Sequence, residues 1–385
     1  MKILKLIFKN LLRHKLRSFL TILGIAIAVM AFGLIRTVLD MWYVGIEASA
    51  PDRLISRHSV SFIFPLPLAY QTRLASVPGV TAVSHATWFQ GTYIDQNNFF
   101  PRIAVDPETF LPLYPEFLLP PEQIAAFQKE RNACIIGVKT SKKYKLKIGD
   151  VINIDGDIYP GRYPFVVRGI YKGAKRSTDE TQMFFSWHYL DERMRQDSPS
   201  RAGQVGWYVI HIANPADAAR VSEACDALFK NSAAETKTET EEAFTMGFIS
   251  MSSTIIAAMQ FISYVIIGII LLVLANTMVM TARERRTEYA VLKTLGFTGK
   301  HLTGLITGES LAIALCGGVL GLMLTFPITK GIAVQLSNFF PVFDLRAGTL
   351  ALAGSFAILV GLIASAFPLY RALNTKIVDG LRQIG

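Results

Sequence analysis

The sequence predicts a membrane protein with four transmembrane helices and a large α+β extracytoplasmic domain between the first and the second. Three observations predict it. Apolar residues make up 51% of the chain and charged ones only 18%, too few charges for an ordinary soluble enzyme. Four runs with almost no charge reach the ~20 residues needed to cross a hydrocarbon core. Between the first two lies a polar, strand-rich segment of roughly 200 residues, long enough to hold its own core.

Residues 1–17 form a leader in which Ile3, Leu4, Ile7, Phe8, Leu11 and Leu12 make an apolar stripe. Lys2, Lys5, Lys9, Arg13, Lys15 and Arg17 take the other side, with no acid among them. This is the pattern of a helix lying on a membrane surface. The first span covers 18–39, and its apolar part is longer than a signal-peptide core, so it reads as a retained anchor. Arg36, near its outer end, snorkels to the interface.

The extracytoplasmic domain, 40–242, reads as a series of short strands: "GVTAVSHATWF", "ACIIGV", "GDVINIDGD", "YPFVVRGIY", "TQMFFSW" and "GWYVIHI". Two of these flank a turn near Pro160 and Gly161 and form one hairpin. Ala216, Ala219, Val221, Ala224, Leu228 and Phe229 recur every three or four residues, the mark of a helix after the last strand. The length suggests two subdomains. The run "NSAAETKTETEE" reads as an exposed hinge or a helical connector, and the Pro-rich "FIFPLPLAY" and "LPLYPEFLLPPE" as loops or an exposed apolar patch for a partner.

From 243 to 282 no Asp, Glu, Lys or Arg occurs, about twice the length that one crossing needs. Its first half, with Thr245, Ser250, Ser252, Ser253 and Thr254, is expected to stand outside as a stalk, and its second half to be the second span. A charged loop over 283–301, a third span over 302–329 broken only by Glu309, a short outer loop over 330–346, a fourth span over 347–370 and a tail over 371–385 follow. Lys and Arg crowd the leader, the 283–301 loop and the tail, whereas the 330–346 loop offers only Lys330 and Arg346. The positive-inside rule then places both termini and the 283–301 loop in the cytoplasm and the large domain outside. A bacterial inner membrane, with that domain in the periplasm or outside the cell, is the expected setting. The net charge of +10 is accounted for by this orientation and by anionic headgroups, and no nucleic-acid module is recognisable.

Sequence signatures of catalysis and of metal binding are absent. No G-x-x-x-x-G-K-[ST], G-x-S-x-G, H-E-x-x-H or C-x-x-C occurs and the six His are scattered, so neither a catalytic nor a metal site is expected, and ATP is not expected to bind this chain directly. Cys134 and Cys225 either pair in an oxidising compartment or remain two buried thiols. Glu309, the one acid within a span, is either a proton relay or a structural group packing against Lys300 or a neighbouring span, and the structural role is preferred. Gly317 and Gly321, with Gly318 beside them, and Gly354 and Gly361 permit close helix approach.

The segment "RERRTEYAVLKTLGFTGKHL" is expected to be an amphipathic helix from Thr281 to Leu295, stopped by Gly296. Tyr289, Leu292 and Leu295 share one side, with Arg286 and Lys293 on another. Arg283, Glu284, Arg285 and Glu288 mix signs as a protein-docking surface does; a headgroup-bound loop is the alternative.

With "GESLAIALCGGVLGLMLT" after it, this segment resembles the permease family of the macrolide exporter MacB, the lipoprotein-releasing permeases and the cell-division protein FtsX. "NLLRHKLRSFLTILGIAIAV", "CIIGVKTSKKYKLKIGDVINI", "FVVRGIY" and "PLYRALNTKIVDGLRQ" are similar to other parts of that family, so the resemblance covers nearly the whole chain. It implies that Arg285, Arg286, Glu288, Lys293, Leu295 and Gly296 belong to a cytoplasmic coupling helix gripped by a separate ABC ATPase subunit, which would bind the ATP and Mg. It implies a second permease chain, identical or related, and Glu309 packing the bundle. Export of an amphiphile, with a periplasmic adaptor and an outer-membrane channel, is the first functional expectation. Lipoprotein release, mechanotransmission to a cell-wall hydrolase and a sensor without transport are the others.

Overall fold

In the computed structural model, which describes residues 13–96, 98–336 and 345–374, each of the four apolar runs is a helix long and apolar enough to cross a membrane. Residues 1–12 of the surface helix expected over 1–17, most of the outer loop and the tail beyond 374 lie outside the described residues.

Helix α1 (Lys15–Trp42) and the short α2 (Val44–Ala48) lead into β1 (Arg53–His58), β2 (Leu66–Pro67), α3 (Tyr70–Ala75), β3 (Val80–Trp88), β4 (Gly91–Thr92) and β5 (Arg102–Val105). Next come α4 (Phe110–Leu113), β6 (Phe117–Leu118), α5 (Pro121–Lys129), β7 (Ala133–Gly137), α6 (Val138–Tyr144), β8 (Val151–Gly156) and β9 (Gly161–Gly173). They are followed by β10 (Met183–Ser186), α7 (Trp187–Asp197), β11 (Gln204–Val205), β12 (Trp207–Ile212), α8 (Ala218–Ala227), β13 (Thr236–Thr240) and α9 (Glu241–Met251). The last four helices are α10 (Ser253–Glu284), α11 (Arg286–Thr294), α12 (Gly299–Leu336) and α13 (Ala347–Asn374).

Two compact units result, one built on 41–252 and the other on 13–40, 253–335 and 345–374. In the first, one sheet runs in the order β13-β1-β12-β3-β5-β10-β7-β9-β8-β4, with β6 beside β9. Only β5–β10 and β7–β9 pair in parallel. The sheet is continuous, so the two expected subdomains are not separate bodies. Successive residues of a strand point to opposite faces, and here both faces are covered. Leu54, Cys134, Ile136, Phe185, Tyr208 and Ile210 feed one core, and Ile55, Ile135, Phe184, Trp207 and Val209 the other. This is why "ACIIG" and "MFFS" are buried at every position, with no polar–apolar alternation.

The expected hairpin is β8–β9, paired from Val151↔Val166 to Gly156↔Gly161. Gly161 has φ +128, a conformation that only glycine adopts without strain. The run read as a hinge or helical connector is instead partly strand: Thr236–Thr240 pairs with β1 as an edge. Its alternation explains this, because Thr236 and Thr238 turn inward to Asp226 and Ser56 while Glu239 meets Arg57. The Pro-rich stretches hold β2, α4 and β6, and Leu66, Leu111 and Leu113 are buried, although Ile63 and Leu118 stay exposed. Cys134 and Cys225 are both buried and free.

The second unit is a bundle of α1, α10, α12 and α13. Ile25, Val29, Phe32, Leu274, Met278, Ile306 and Val360 form its core, while Phe261, Leu272, Met323 and Phe367 point outward, as lipid contact demands. The run 243–282 is not one helix, since α9 ends at Met251 and α10 begins at Ser253. Small residues set the spacing. A Cβ on Gly317 would lie 2.6 Å from the Ile25 side chain, and one on Gly321 2.6 Å from the Ala26 carbonyl oxygen, so α12 and α1 touch through these two. Gly318 and Gly361 seat α12 against α13, at 3.0 Å from Ala357 and 3.1 Å from Ala314. Gly354 meets nothing within 4 Å, so the packing expected there is not made among the described residues. Buried hydroxyls find partners: Thr37, Thr325 and Thr329 donate to carbonyls four residues earlier, and Ser310 donates to Gly361 across the helix gap.

Candidate functional site

The charged segment after α10 is not one helix from Thr281. Helix α10 continues through Glu284, Arg285 leaves helical geometry at φ −101, ψ 14, and α11 starts at Arg286. The break turns the Arg285 side chain inward. Its Nη1 donates to Glu309 Oε2 of α12 at 2.9 Å and its Nε to Glu288 Oε2 of α11 at 3.0 Å. Both members of the Arg285–Glu309 pair have side chains only 7% exposed, which makes this a desolvated ion pair inside the bundle. Glu309 thus faces Arg285 and not Lys300.

The neighbouring acids are engaged as well. Arg17 of α1 grips Glu284 with two donors at 2.7 and 2.8 Å, with His14 3.7 Å away. Arg13 donates to Glu288. Burial opposes ionisation of Glu288, but the hydrogen bonds from Arg285 and Arg13 outweigh it and hold the carboxyl below its usual range. At the far end Lys293 Nζ donates to the Leu373 carbonyl of α13 at 2.9 Å. Tyr289 is buried under Arg285, and burial pushes its phenol up to about 12, so it stays neutral. Helix α11 therefore follows α10 after the single residue Arg285, which Glu309 of α12 holds, and is itself bound by Arg13 just before α1 and by the Leu373 carbonyl of α13.

The end of α11 is sharply defined. Gly296, at φ +87, lets its N–H reach the Lys293 carbonyl at 3.1 Å while the Phe297 N–H reaches Leu292 at 3.0 Å, a Schellman stop. Leu295 does not join the buried side that Tyr289 and Ala290 make; it is 71% exposed, and Val291 and Phe297 are exposed beside it at 41% and 42%. Arg283 and Arg286 are exposed too. Glu284, Arg285 and Glu288 are thus spent inside the chain, and the free tip of the segment is apolar.

Arg13, Arg17 and the Leu373 carbonyl had no sequence signal as partners, because more than 250 residues separate each arginine from its acid in the chain. Among the described residues no cluster of metal-ligating side chains occurs.

The MacB-like periplasmic core domain matches residues 18–228, and the FtsX-like permease C-terminal region matches 260–377. An ABC transporter permease of Methanocaldococcus jannaschii is 23% identical over 97% of this chain and 96% of its own length. The macrolide export ATP-binding/permease protein MacB of Nitrobacter winogradskyi is 30% identical over 130 residues, 34% of this chain and 19% of that protein. Among solved structures, the extracellular domain of the noncanonic ABC-type transporter YknZ from Gram-positive bacteria aligns over 49% of this chain and 100% of that domain, at 11% identity and a TM-score of 0.36.

Proposed function

We infer that this chain, which belongs to the ABC transporter permease family uniting a MacB-like periplasmic core domain with an FtsX-like C-terminal region, transmits ATP-driven motion from a partner ATPase to its extracytoplasmic domain. One observation supports this most: the segment from Glu284 to Lys293 is tied to all four spans. Glu284 ends α10 and is held by Arg17 of α1, and Arg285 is held by Glu309 on α12. Helix α11 itself is held through Glu288 by Arg13 just before α1 and through Lys293 by the Leu373 carbonyl on α13. A push on α11 is therefore a push on the whole bundle, which is what a coupling element needs. The exposed Val291, Leu295 and Phe297 offer an apolar knob for a groove on the ATPase, which would carry the ATP and Mg. A second permease chain, a copy or a relative, completes the transporter, and α10, which follows directly on α9, carries the motion outward. The cargo is an amphiphile exported or extracted on the outer side, with an adaptor and an outer channel as further partners.

Co-reconstitution with the cognate ABC ATPase tests this. Leu295→Asp places a charge where an apolar anchor docks, and losing such an anchor costs about 2 kcal/mol or more, roughly 30-fold in affinity. Stimulated ATP hydrolysis should fall accordingly while membrane insertion stays normal. Unchanged hydrolysis would remove the docking assignment, and purification of an active protein without any ATPase would favour a sensor.

A further inference from the structure

Beside α11 lies a second feature that the coupling role does not use. A cleft of about 430 Å³ opens between the end of α10, the start of α11 and the end of α13. Arg283, Arg286 and Arg371 line it with Tyr289, Phe367 and Tyr370, and no carboxylate does. Among the described residues the nearby acids Glu284, Glu288 and Glu309 are occupied elsewhere: Glu284 by Arg17, Glu288 by Arg13 and Arg285, Glu309 by Arg285. Among the described residues neither Arg283 nor Arg286 has an ion-pair partner. The charge of these two arginines is therefore not neutralised by the described residues of the bundle.

We propose that this cleft seats the phosphate of an anionic phospholipid. Its position supports a lipid source, because the cleft sits where the apolar α10 and α13 end, at the depth of the headgroups. Planar guanidinium groups bind phosphate oxygens with paired donors, and basic pockets between helix ends are suited to anionic headgroups. The aromatic rings are of the type that belts the interface, with Arg371 lying 4.7 Å over Phe367. Val279 and the outward face of Phe367, 49% exposed, give acyl chains an apolar wall to follow. A lipid held there touches α10, α11 and α13 together, so the lipid composition of the membrane would set how firmly the coupling segment is held.

Native mass spectrometry of the purified full chain, delipidated and given phosphatidylglycerol or phosphatidylcholine, tests the proposal without any ATPase, so its failure is separate from failure of the coupling reading. Phosphatidylglycerol should bind at least about tenfold tighter, in keeping with loss or gain of one charge-assisted contact pair. The Arg283→Gln/Arg286→Gln double variant should lose that preference, and Arg371→Gln should weaken it. Lys300→Gln, a cation outside the cleft, should keep it. Inorganic phosphate in the millimolar range should fail to displace the lipid. Equal binding of the two lipids, an equal loss in Lys300→Gln, or full displacement by inorganic phosphate would overturn the proposal. So would a double variant that binds phosphatidylglycerol normally but no longer co-purifies the ATPase, which would assign the cleft to that protein.

Discussion

Replacing Arg285 with Gln would strip Glu309 of its counter-charge at a site where the side chain is 7% exposed and water cannot substitute. The stranded carboxyl escapes by taking up a proton, and that sets a ceiling on the cost. For a carboxyl of ordinary pKa ~4.3, neutralisation at pH 7 takes about 3.7 kcal/mol, at 1.36 kcal/mol per pH unit. The figure agrees with the roughly 3–5 kcal/mol seen when one partner of a buried pair is removed. At pH 5 the same neutralisation takes only about 1 kcal/mol. Loss of the Arg285–Glu288 bond adds about 1 kcal/mol at either pH. Glu309→Gln is milder, about 1–2 kcal/mol, because its amide oxygen still accepts from Arg285 and Glu288 still balances the charge. The double variant leaves no unpaired charge and should fall short of the sum by about 2 kcal/mol at pH 7. Steric-trap unfolding of the purified full chain, with the traps flanking α12, reads these values directly. Additive single effects within about 0.5 kcal/mol, together with no weakening of the Arg285→Gln effect at pH 5, would refute the pairing and the argument built on it.

Gly321→Val drives a side chain into the Ala26 carbonyl oxygen of α1, 2.6 Å from the glycine's own Cβ position, and should destabilise the bundle by about 3 kcal/mol; Gly354→Val, with open space around it, should change thermal stability by under about 0.5 kcal/mol. His85 on β3 is 2% exposed, and burial lowers its pKa to about 4, with Gln71, Trp187, Asp106, His188 and Asp191 around it. The unfolded chain takes up that proton below pH ~6.5, so this contribution is complete above pH 6.5 and lost as the pH falls toward 4, by about 3 kcal/mol; melting curves of the full chain should show the decline, and His85→Gln should flatten it. Gly296→Pro removes both the left-handed turn and the N–H that reaches Lys293, and should lower ATPase stimulation in the reconstituted complex with insertion unchanged, as measured by phosphate release.

The architecture was legible because membrane spans and strands declare themselves locally. The runs with almost no charge became α1, α10, α12 and α13, and the alternation around Gly161 became β8–β9. What escaped was set by contacts distant in sequence. "TKTET" looks like a polar linker until Asp226 and Ser56 are found beneath it. Arg285 reads as one more exposed charge in a basic loop, and only the break before α11 shows it reaching Glu309. Leu295, where α11 ends, stands exposed and not beside the buried Tyr289. Gly317 and Gly354 look alike in sequence, yet one meets Ile25 and the other open space.

The most direct measurement places a photo-crosslinking amino acid at Leu295 in the full chain in living cells, with a second at Ile63 in the extracytoplasmic domain. If α11 is the coupling element, the Leu295 probe captures an ABC ATPase identified by mass spectrometry and the Ile63 probe does not. Capture of an outer-side protein at Leu295, or labelling of a cysteine there by a membrane-impermeant reagent applied from outside, would contradict it.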